Sequence, residues 1–205
     1  MKQSVSPTVL PLMQSHITKW ENCRLCELCD NRHFPAFFRG RVPCNVLFIG
    51  DYPGDEDTMT GVPFHPRSQN GEILESIIQE TVEAANYGPK QKIDKIWSLQ
   101  PLITTSPLTW AATNLTACPS EGPPPENTVQ SCQPRLEEFI ALCRPQLKLI
   151  VAVGKMAEKY ITKHCHNKQT KMTVIPHPSW IVKQEDIDLE IKKVVLNLRE
   201  VLKCL

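Results

Sequence analysis

Leu147-Lys148-Leu149-Ile150-Val151-Ala152-Val153-Gly154 carries the decision about fold. The run from Leu149 to Val153 is apolar without alternation, which fits a strand covered on both faces, and Gly154 ends it at a turn before a helical stretch. Working outward, Asn45-Val46-Leu47-Phe48-Ile49-Gly50 repeats that pattern, and Ala111 to Leu115 and Lys171 to Pro176 read as two further strands. Helical periodicity fills the gaps. Ile73, Leu74, Ile77, Ile78 and Val82 fall on one face of a helix expected from Glu72 to about Ala85, another runs from Thr128 to about Cys143, and a last one starts near Glu185. It buries Ile187, Ile191, Val194, Val195, Leu198 and Leu202. The opening segment up to Trp20 reads as a short helix limited by Pro7 and Pro11. Strands alternating with helices predict the α/β class: a three-layer α/β/α sandwich around a central, mostly parallel four-stranded sheet. Residues 1–205 read as a single domain, with an irregular insertion around 86–109. In such folds a site collects beyond the carboxyl ends of the strands, here the loops starting at Gly50, Asn114, Gly154 and His177.

The composition narrows the chemistry. The chain has 205 residues, a formal net charge of +1 and 18 prolines against 8 glycines. No global charge advertises a polyanionic partner, so any grip on phosphates must come from a local patch. The first residues lack the charged start and long apolar run of a secretion signal, and no segment has the apolar length to cross a bilayer. The expected setting is cytoplasmic, away from membranes. There, nine cysteines read better as metal ligands than as disulfides.

Cys23-Arg24-Leu25-Cys26 forms a two-ligand knuckle, and Cys118 and Cys132 form a wider pair around the proline turn Gly122-Pro123-Pro124-Pro125. Four thiolates suit either zinc or an iron–sulfur cluster, and the spacing alone leaves both open. Cys29 offers an alternative knuckle with Cys26. Cys44, Cys143, Cys165 and Cys204 read as buried apolar cysteines.

Five ordered motifs then carry a resemblance. Cys23-Arg24-Leu25-Cys26-Glu27-Leu28 matches C-x-x-C-x-L. Gly50-Asp51-Tyr52-Pro53-Gly54-Asp55-Glu56-Asp57-Thr58-Met59-Thr60-Gly61-Val62-Pro63-Phe64 keeps the spacing of G-E-A-P-G-x-x-E-D-x-x-G-x-P-F. Thr113-Asn114-Leu115-Thr116-Ala117-Cys118 is similar to T-N-V-V-K-C. Cys132-Gln133-Pro134-Arg135-Leu136 is followed by the strand ending at Gly154, and His177-Pro178-Ser179 supplies H-P-S. Together these resemble the uracil-DNA glycosylase superfamily, closest to its iron–sulfur branch, the family 4 enzymes.

The resemblance implies a DNA glycosylase that flips a pyrimidine out of DNA and hydrolyses its N-glycosidic bond, leaving an abasic site. It implies Asp51 and His177 as catalytic residues, with His177 donating to the base O2 as charge gathers there. Phe64 would stack on the everted ring, and Asn114 would read its edge with the side-chain amide. Tyr52 would stand in the base pocket where the family has alanine. Pro178, Ser179 and Trp180 would meet DNA, with Trp180 or Ile181 as the wedge filling the vacated stack. Cys23, Cys26, Cys118 and Cys132 would hold a structural 4Fe–4S cluster, with zinc as the alternative. Glu56 and Asp57 would cap a turn. The expected partner is DNA, and the chain is expected to act as a monomer.

Where the sequence departs from the family, it does so around the pocket. Asp51 replaces glutamate, Tyr52 replaces alanine, and His65-Pro66-Arg67-Ser68-Gln69-Asn70-Gly71 is about two residues longer than its counterpart. These changes open two further readings: a defence enzyme excising a hypermodified base such as glucosylated hydroxymethylcytosine from phage DNA, or a catalytically weak DNA-binding member of the fold. Lys155, Lys159, Lys163, Lys168 and Lys171, with His164 and His166, form the candidate phosphate patch; a lysine-rich run is most often just a solvated face.

Overall fold

The computed structural model describes residues 10–86, 91–93, 96–98, 108–164 and 170–205. Cys165, His166 and Lys168, and much of the 86–109 insertion, lie outside them.

The two most apolar segments form the middle of the sheet. β2 (Val46–Gly50) and β6 (Leu149–Val153) are buried at every position. They pair in parallel with each other, β2 pairs in parallel with β5 (Trp110–Asn114), and β6 with β7 (Lys171–Ile175). These are the four strands expected. A fifth was not: β1 (Arg39–Gly40) adds two residues antiparallel to β5, giving the order β1-β5-β2-β6-β7. Two residues carry no periodicity to read. They are held because Gly40, at φ +94°, brings its backbone so close to β5 that a Cβ would stand 2.5 Å from the Trp110 carbonyl. Within the insertion, β3 (Gln91–Ile93) and β4 (Ile96–Ser98) form a separate antiparallel pair.

Alternation along each strand assigns side chains to the two outer layers. Leu47 and Ile49 of β2 and Ile150 and Ala152 of β6 enter one core, with Leu136, Phe139 and Ile140 of α4 (Glu126–Cys143) and Ala157, Tyr160 and Ile161 of α5 (Lys155–His164). Met13 of α1 (Leu10–Trp20) joins them. Val46 and Phe48 of β2 and Leu149, Val151 and Val153 of β6 enter the other. There they meet α3 (Gln69–Ile78), α6 (Pro178–Ile181) and α7 (Ile187–Lys203). The three-layer α/β/α expectation holds. Among the described residues no helix is long and apolar enough to cross a membrane.

Local chemistry fixes the helix starts. The Ser68 hydroxyl accepts from the Gly71 N–H at the head of α3, and the Asp186 carboxylate accepts from the Leu189 N–H at the head of α7. The helix expected to reach Ala85 ends at Ile78 and continues as a wider turn, Gln79–Glu83, in which the Thr81 hydroxyl bonds back to the Ile77 carbonyl (2.6 Å). Cys44 and Cys143 are fully buried in the first core, whereas Cys204 is exposed.

Phe139 is fully buried and stacks on Phe38 with ring centroids 5.1 Å apart. Phe139→Ala is expected to cost about 3–5 kcal/mol, read as a lower denaturation midpoint in urea with an unchanged slope.

Candidate active site

β2, β5 and β6 end side by side, and the loops leaving them converge. Gly50 closes β2. A Cβ there would stand 2.5 Å from Asn114 Oδ1 and inside the contact distance of Phe64 Cζ, so only glycine lets both side chains approach this strand end. Gly154, just after β6, lies between the other pair, and its backbone conformation is what calls for glycine. Its φ is +99°, and a Cβ would stand 3.2 Å from His177 Cβ and 3.5 Å from Asp51 Oδ2. Phe64 and His177 join the two pairs, with ring centroids 6.3 Å apart at 43°. A cleft of about 570 Å³, open to solvent, runs beside them and is lined by Tyr52, Phe64, His177, Glu56, Ser68 and Asn70, among others. Tyr52, Phe64 and His177 therefore face the cleft. Asn114 stands against the Phe64 ring behind it, and Asp51 stands beside His177.

Each group is held by an identifiable contact. The Ala157 N–H in the first turn of α5 donates to Asp51 Oδ1 (2.8 Å). Burial nevertheless pushes the Asp51 carboxyl up to about 6. The Ser179 N–H donates to His177 Nδ1 (3.2 Å), and the Ser179 hydroxyl lies 2.8 Å from the same nitrogen. With Nδ1 accepting, a neutral ring carries its proton on Nε2. Burial pulls His177 down to about 4, so this ring is neutral at physiological pH. Asn114 is 1% exposed, and neither its Oδ1 nor its Nδ2 has a hydrogen-bond partner. A buried carboxamide left without partners costs about 1–3 kcal/mol per group, which marks it as prepared for something it meets from outside.

Phe64 lies at φ +49°, a strained conformation for a residue with a side chain. Asp57 holds it there. Its Oδ1 accepts from the His65 N–H (2.7 Å) and its Oδ2 from the Gly54 N–H (3.2 Å), which clamps the loop between β2 and α3 across α2 (Asp55–Thr60). Asp57 thus closes a turn as the sequence suggested, and both Glu56 and Asp57 line the cleft.

The flanking residues divide. Pro178 and Ile181 are buried in α6, so Ile181 is not the wedge; its side chain belongs to the second core. Trp180 is 47% exposed, and the Ser179 hydroxyl is engaged with His177. In the lysine patch, Lys155 and Lys159 are exposed on α5, Lys163 pairs with Glu126 (3.0 Å), Lys171 donates to the Cys204 carbonyl, and His164 packs on Tyr160.

On the other side of β5, Cys23, Cys26, Cys29, Cys118 and Cys132 line one pocket of about 380 Å³. Among the described residues, no three His, Cys, Asp or Glu side chains approach closely enough to hold a single ion. Arg32 Nη1 donates to Cys118 Sγ (3.1 Å) and Arg135 Nε to Cys132 Sγ (3.4 Å). Cys29 turns its thiol toward Asp30 Oδ1 (3.5 Å).

Sequence reasoning missed Ser68 and Asn70 in the cleft wall, the Ser179 hold on His177, and Arg135. For Ser68 and Asn70 the extra length of the 65–71 loop was the available signal. Arg135, one residue inside a charged helical stretch, gave none.

A parallel α/β/α sheet with an amide, a carboxylate and a neutral imidazole gathered at its carboxyl ends defines an α/β protein with an enzyme-like cleft. The chain belongs to the Uracil DNA glycosylase superfamily, whose family model matches residues 37–199. It is similar to a type-4 uracil-DNA glycosylase of Sulfurisphaera tokodaii, 22% identical over 82% of this chain and 66% of the relative. It is similar also to one of Saccharolobus solfataricus, 24% identical over 78% of this chain and 62% of the relative. The chain thus spans less than two thirds of the length of either.

The titration of the site gives a signed expectation. Asp51 keeps its proton in the folded state up to about 6, against 3.8 in the reference state, so its contribution to stability falls as pH rises from about 4 to 6. His177 runs the other way. Its folded value near 4 lies below the reference 6.5, so its contribution rises over about 4 to 6.5. The two slopes, each about 1.4 kcal/mol per pH unit, offset in the parent protein. Relative to the parent, Asp51→Asn should gain stability with rising pH across this window, and His177→Gln should lose it. Urea unfolding at several pH values checks this; parallel profiles for all three proteins would refute the assignment.

Proposed function

We propose that this protein is a monofunctional DNA glycosylase that everts a pyrimidine, uracil in the first instance, and hydrolyses the bond between its N1 and the deoxyribose C1′. The observation that carries this reading is Asn114: a fully buried carboxamide with both polar atoms unpartnered, set against the Phe64 ring. Its oxygen accepts from a ring N–H and its nitrogen donates to a carbonyl, the pattern that uracil presents.

The steps follow from the neighbours. The base leaves the stack, since a buried amide cannot reach it within a duplex, and its ring stacks on Phe64. As the N1–C1′ bond breaks, its electron pair passes to the base, and the Nε2–H of neutral His177 donates to O2 where that charge collects. Asp51, ionised above about pH 6, faces the cation-like sugar and orients the water that adds to C1′. The water's proton passes to Asp51 or to solvent, leaving free base and an abasic sugar. No lysine lines the cleft among the described residues, which fits hydrolysis without strand cleavage. Lys155, Lys159 and the exposed Trp180 are the residues placed to meet DNA, and the protein acts on it as a monomer.

A 4Fe–4S cluster on Cys23, Cys26, Cys118 and Cys132 is the group we assign to the cysteine pocket. In its support, five cysteines line one pocket, and two arginines donate to the sulfurs that would carry negative charge. Cys29, bonded to Asp30, is the spare. When bound, the cluster ties the N-terminal segment to β5 and α4 and takes no part in the hydrolysis. Zinc is the poorer fit, because it needs four sulfurs about 2.3 Å from one point.

One observation favours a substrate larger than uracil. The cleft wall beyond Phe64 carries Tyr52, Asn70 and Glu56, hydrogen-bonding groups that unmodified uracil would leave unused. A pyrimidine bearing a hydroxylated substituent would use them, as in the hypermodified DNA of some phages.

Base release from duplexes holding uracil, hydroxymethyluracil or glucosylated hydroxymethylcytosine separates these readings. Release of one of them is expected, with His177→Ala about 10²–10³-fold slower and Asp51→Asn at least 10²-fold slower, both variants remaining folded. Binding without release of any base would reject the enzyme.

For the cysteine pocket, purified protein should contain about four irons per chain. Cys118→Ser should lose most soluble protein while Cys29→Ser does not. Stoichiometric zinc with no iron would overturn the cluster.

A further inference from the structure

Arg135 is 2% exposed and among the largest fully buried side chains. It sits on α4, three residues after Cys132, and its guanidinium points away from solvent into the gap between α4 and β5. All three nitrogens are used. Nε donates to Cys132 Sγ (3.4 Å), Nη1 to the Thr113 hydroxyl (3.3 Å), and Nη2 to the carbonyls of Asn114 (2.5 Å) and Leu115 (3.2 Å). Thr113 in turn donates to the Phe37 carbonyl (2.6 Å), and Phe37 lines the cysteine pocket. Among the described residues none of the ion pairs includes Arg135. A buried cation without a carboxylate requires another source of negative charge. The sulfur of Cys132, as a ligand thiolate, supplies it from one side, and the carbonyls of the Asn114 loop supply their dipoles from the other.

We propose that Arg135 is a positioning residue that locks the Asn114 loop to the cysteine pocket, so that the group held by the cysteines sets where the base-reading carboxamide stands. This rests on the reading of Asn114 as the base contact. The Asn114 side chain has no hydrogen bond of its own to hold it, so its placement derives from its backbone; β2 holds that backbone from one side, with the Leu115 N–H donating to the Gly50 carbonyl (2.9 Å), and Arg135 holds it from the other through two adjacent carbonyls. With the thiolate gone, the guanidinium loses its counter-charge and the carbonyls lose a fixed donor. The cysteine pocket and the Asn114 loop are then joined through one side chain.

The test uses protein purified with its bound group. Arg135→Met and Arg135→Lys are made alone and together with Asn114→Ala. Binding is measured to a duplex holding one uncleavable fluorinated deoxyuridine and to a matched duplex holding thymidine. Arg135→Met should lose about ten-fold of the preference for the uracil duplex, and Arg135→Lys should recover part of it. In the Asn114→Ala background neither should lose more. Equal losses in both backgrounds would overturn the positioning role. Iron release to a chelator is the second readout: it should run several-fold faster in Arg135→Met, and an unchanged rate would overturn the link to the cysteines. If the parent binds both duplexes alike, the reading of Asn114 has failed. The link is then judged on the side-chain amide NMR signal of Asn114 in the free protein, which must move in Arg135→Lys for the proposal to stand. Should Arg135→Met prove insoluble, Arg135→Lys carries the same comparisons.

Discussion

Two missing Cβ atoms govern the space at the end of this sheet. β2 and β6 are neighbours and both run out into glycine. At Gly50 the vacated volume takes the tip of Phe64 and the amide of Asn114; at Gly154, where the φ of +99° itself calls for glycine, it eases the close approach of His177. Strands in a sheet stand about 4.8 Å apart, and two ordinary residues at these positions would fill the gap with their own side chains. Glycine leaves the space to residues arriving from loops. The parallel sheet supplies the alignment, because its strand ends lie level and the loops that leave them have nowhere to go but over the same edge.

Crowding of this kind has an electrostatic consequence. The groups that fill the gap are withdrawn from water without being given charged partners, so burial moves both titrations, outweighing at Asp51 the opposing hydrogen bond from the Ala157 N–H. It raises Asp51 and lowers His177, and each moves toward its neutral form. For His177 that is the form with a proton on Nε2 and no charge to be desolvated. For Asp51 it holds a carboxylate close to its titration point, where it exchanges protons readily near neutral pH. Add the strained backbone of Phe64 and the unpartnered amide of Asn114, and the cleft emerges as a region that the rest of the fold holds together against its own preference. Asp57, with two backbone N–H groups on one carboxylate, is the most direct of those restraints.

What could be read from the sequence tracks the range of the interaction responsible. The four parallel strands and the amphipathic faces of α3, α4 and α7 were legible because burial on one or both faces is written in the local residue pattern. Asp51, Asn114 and His177 were legible because each follows a strand end, and because spacing within their motifs resembles a family. The order of the strands was not, since nothing local says that β2 lies between β5 and β6. β1 was not, because two residues have no period; it exists through its fit against Trp110. The wide turn after Ile78 overrode a helical pattern that continued to Val82. Ile181 looked like a wedge because it follows the His177 loop, but a one-turn helix rotates it into the core and leaves Trp180 outside.

Arg135 shows the same limit most sharply, because its type argues against its location. An arginine in a stretch with two glutamates reads as surface, and the cost of burying a guanidinium makes that the sound expectation. It is buried because three acceptors and a sulfur are arranged around it: the acceptors come from the consecutive residues Thr113, Asn114 and Leu115 and the sulfur from the preceding turn of α4. That arrangement also joins the cysteine pocket to the Asn114 loop. β5 has the cysteine pocket on one side and the cleft on the other, and Thr113, Asn114 and Leu115 lie at its carboxyl end. Whatever fixes those residues from the cysteine side fixes the amide on the cleft side. The distinction between a structural group and a functional one thus turns on what the group's nearest ligands are bonded to. Here Cys132 and Asn114 share the guanidinium of Arg135.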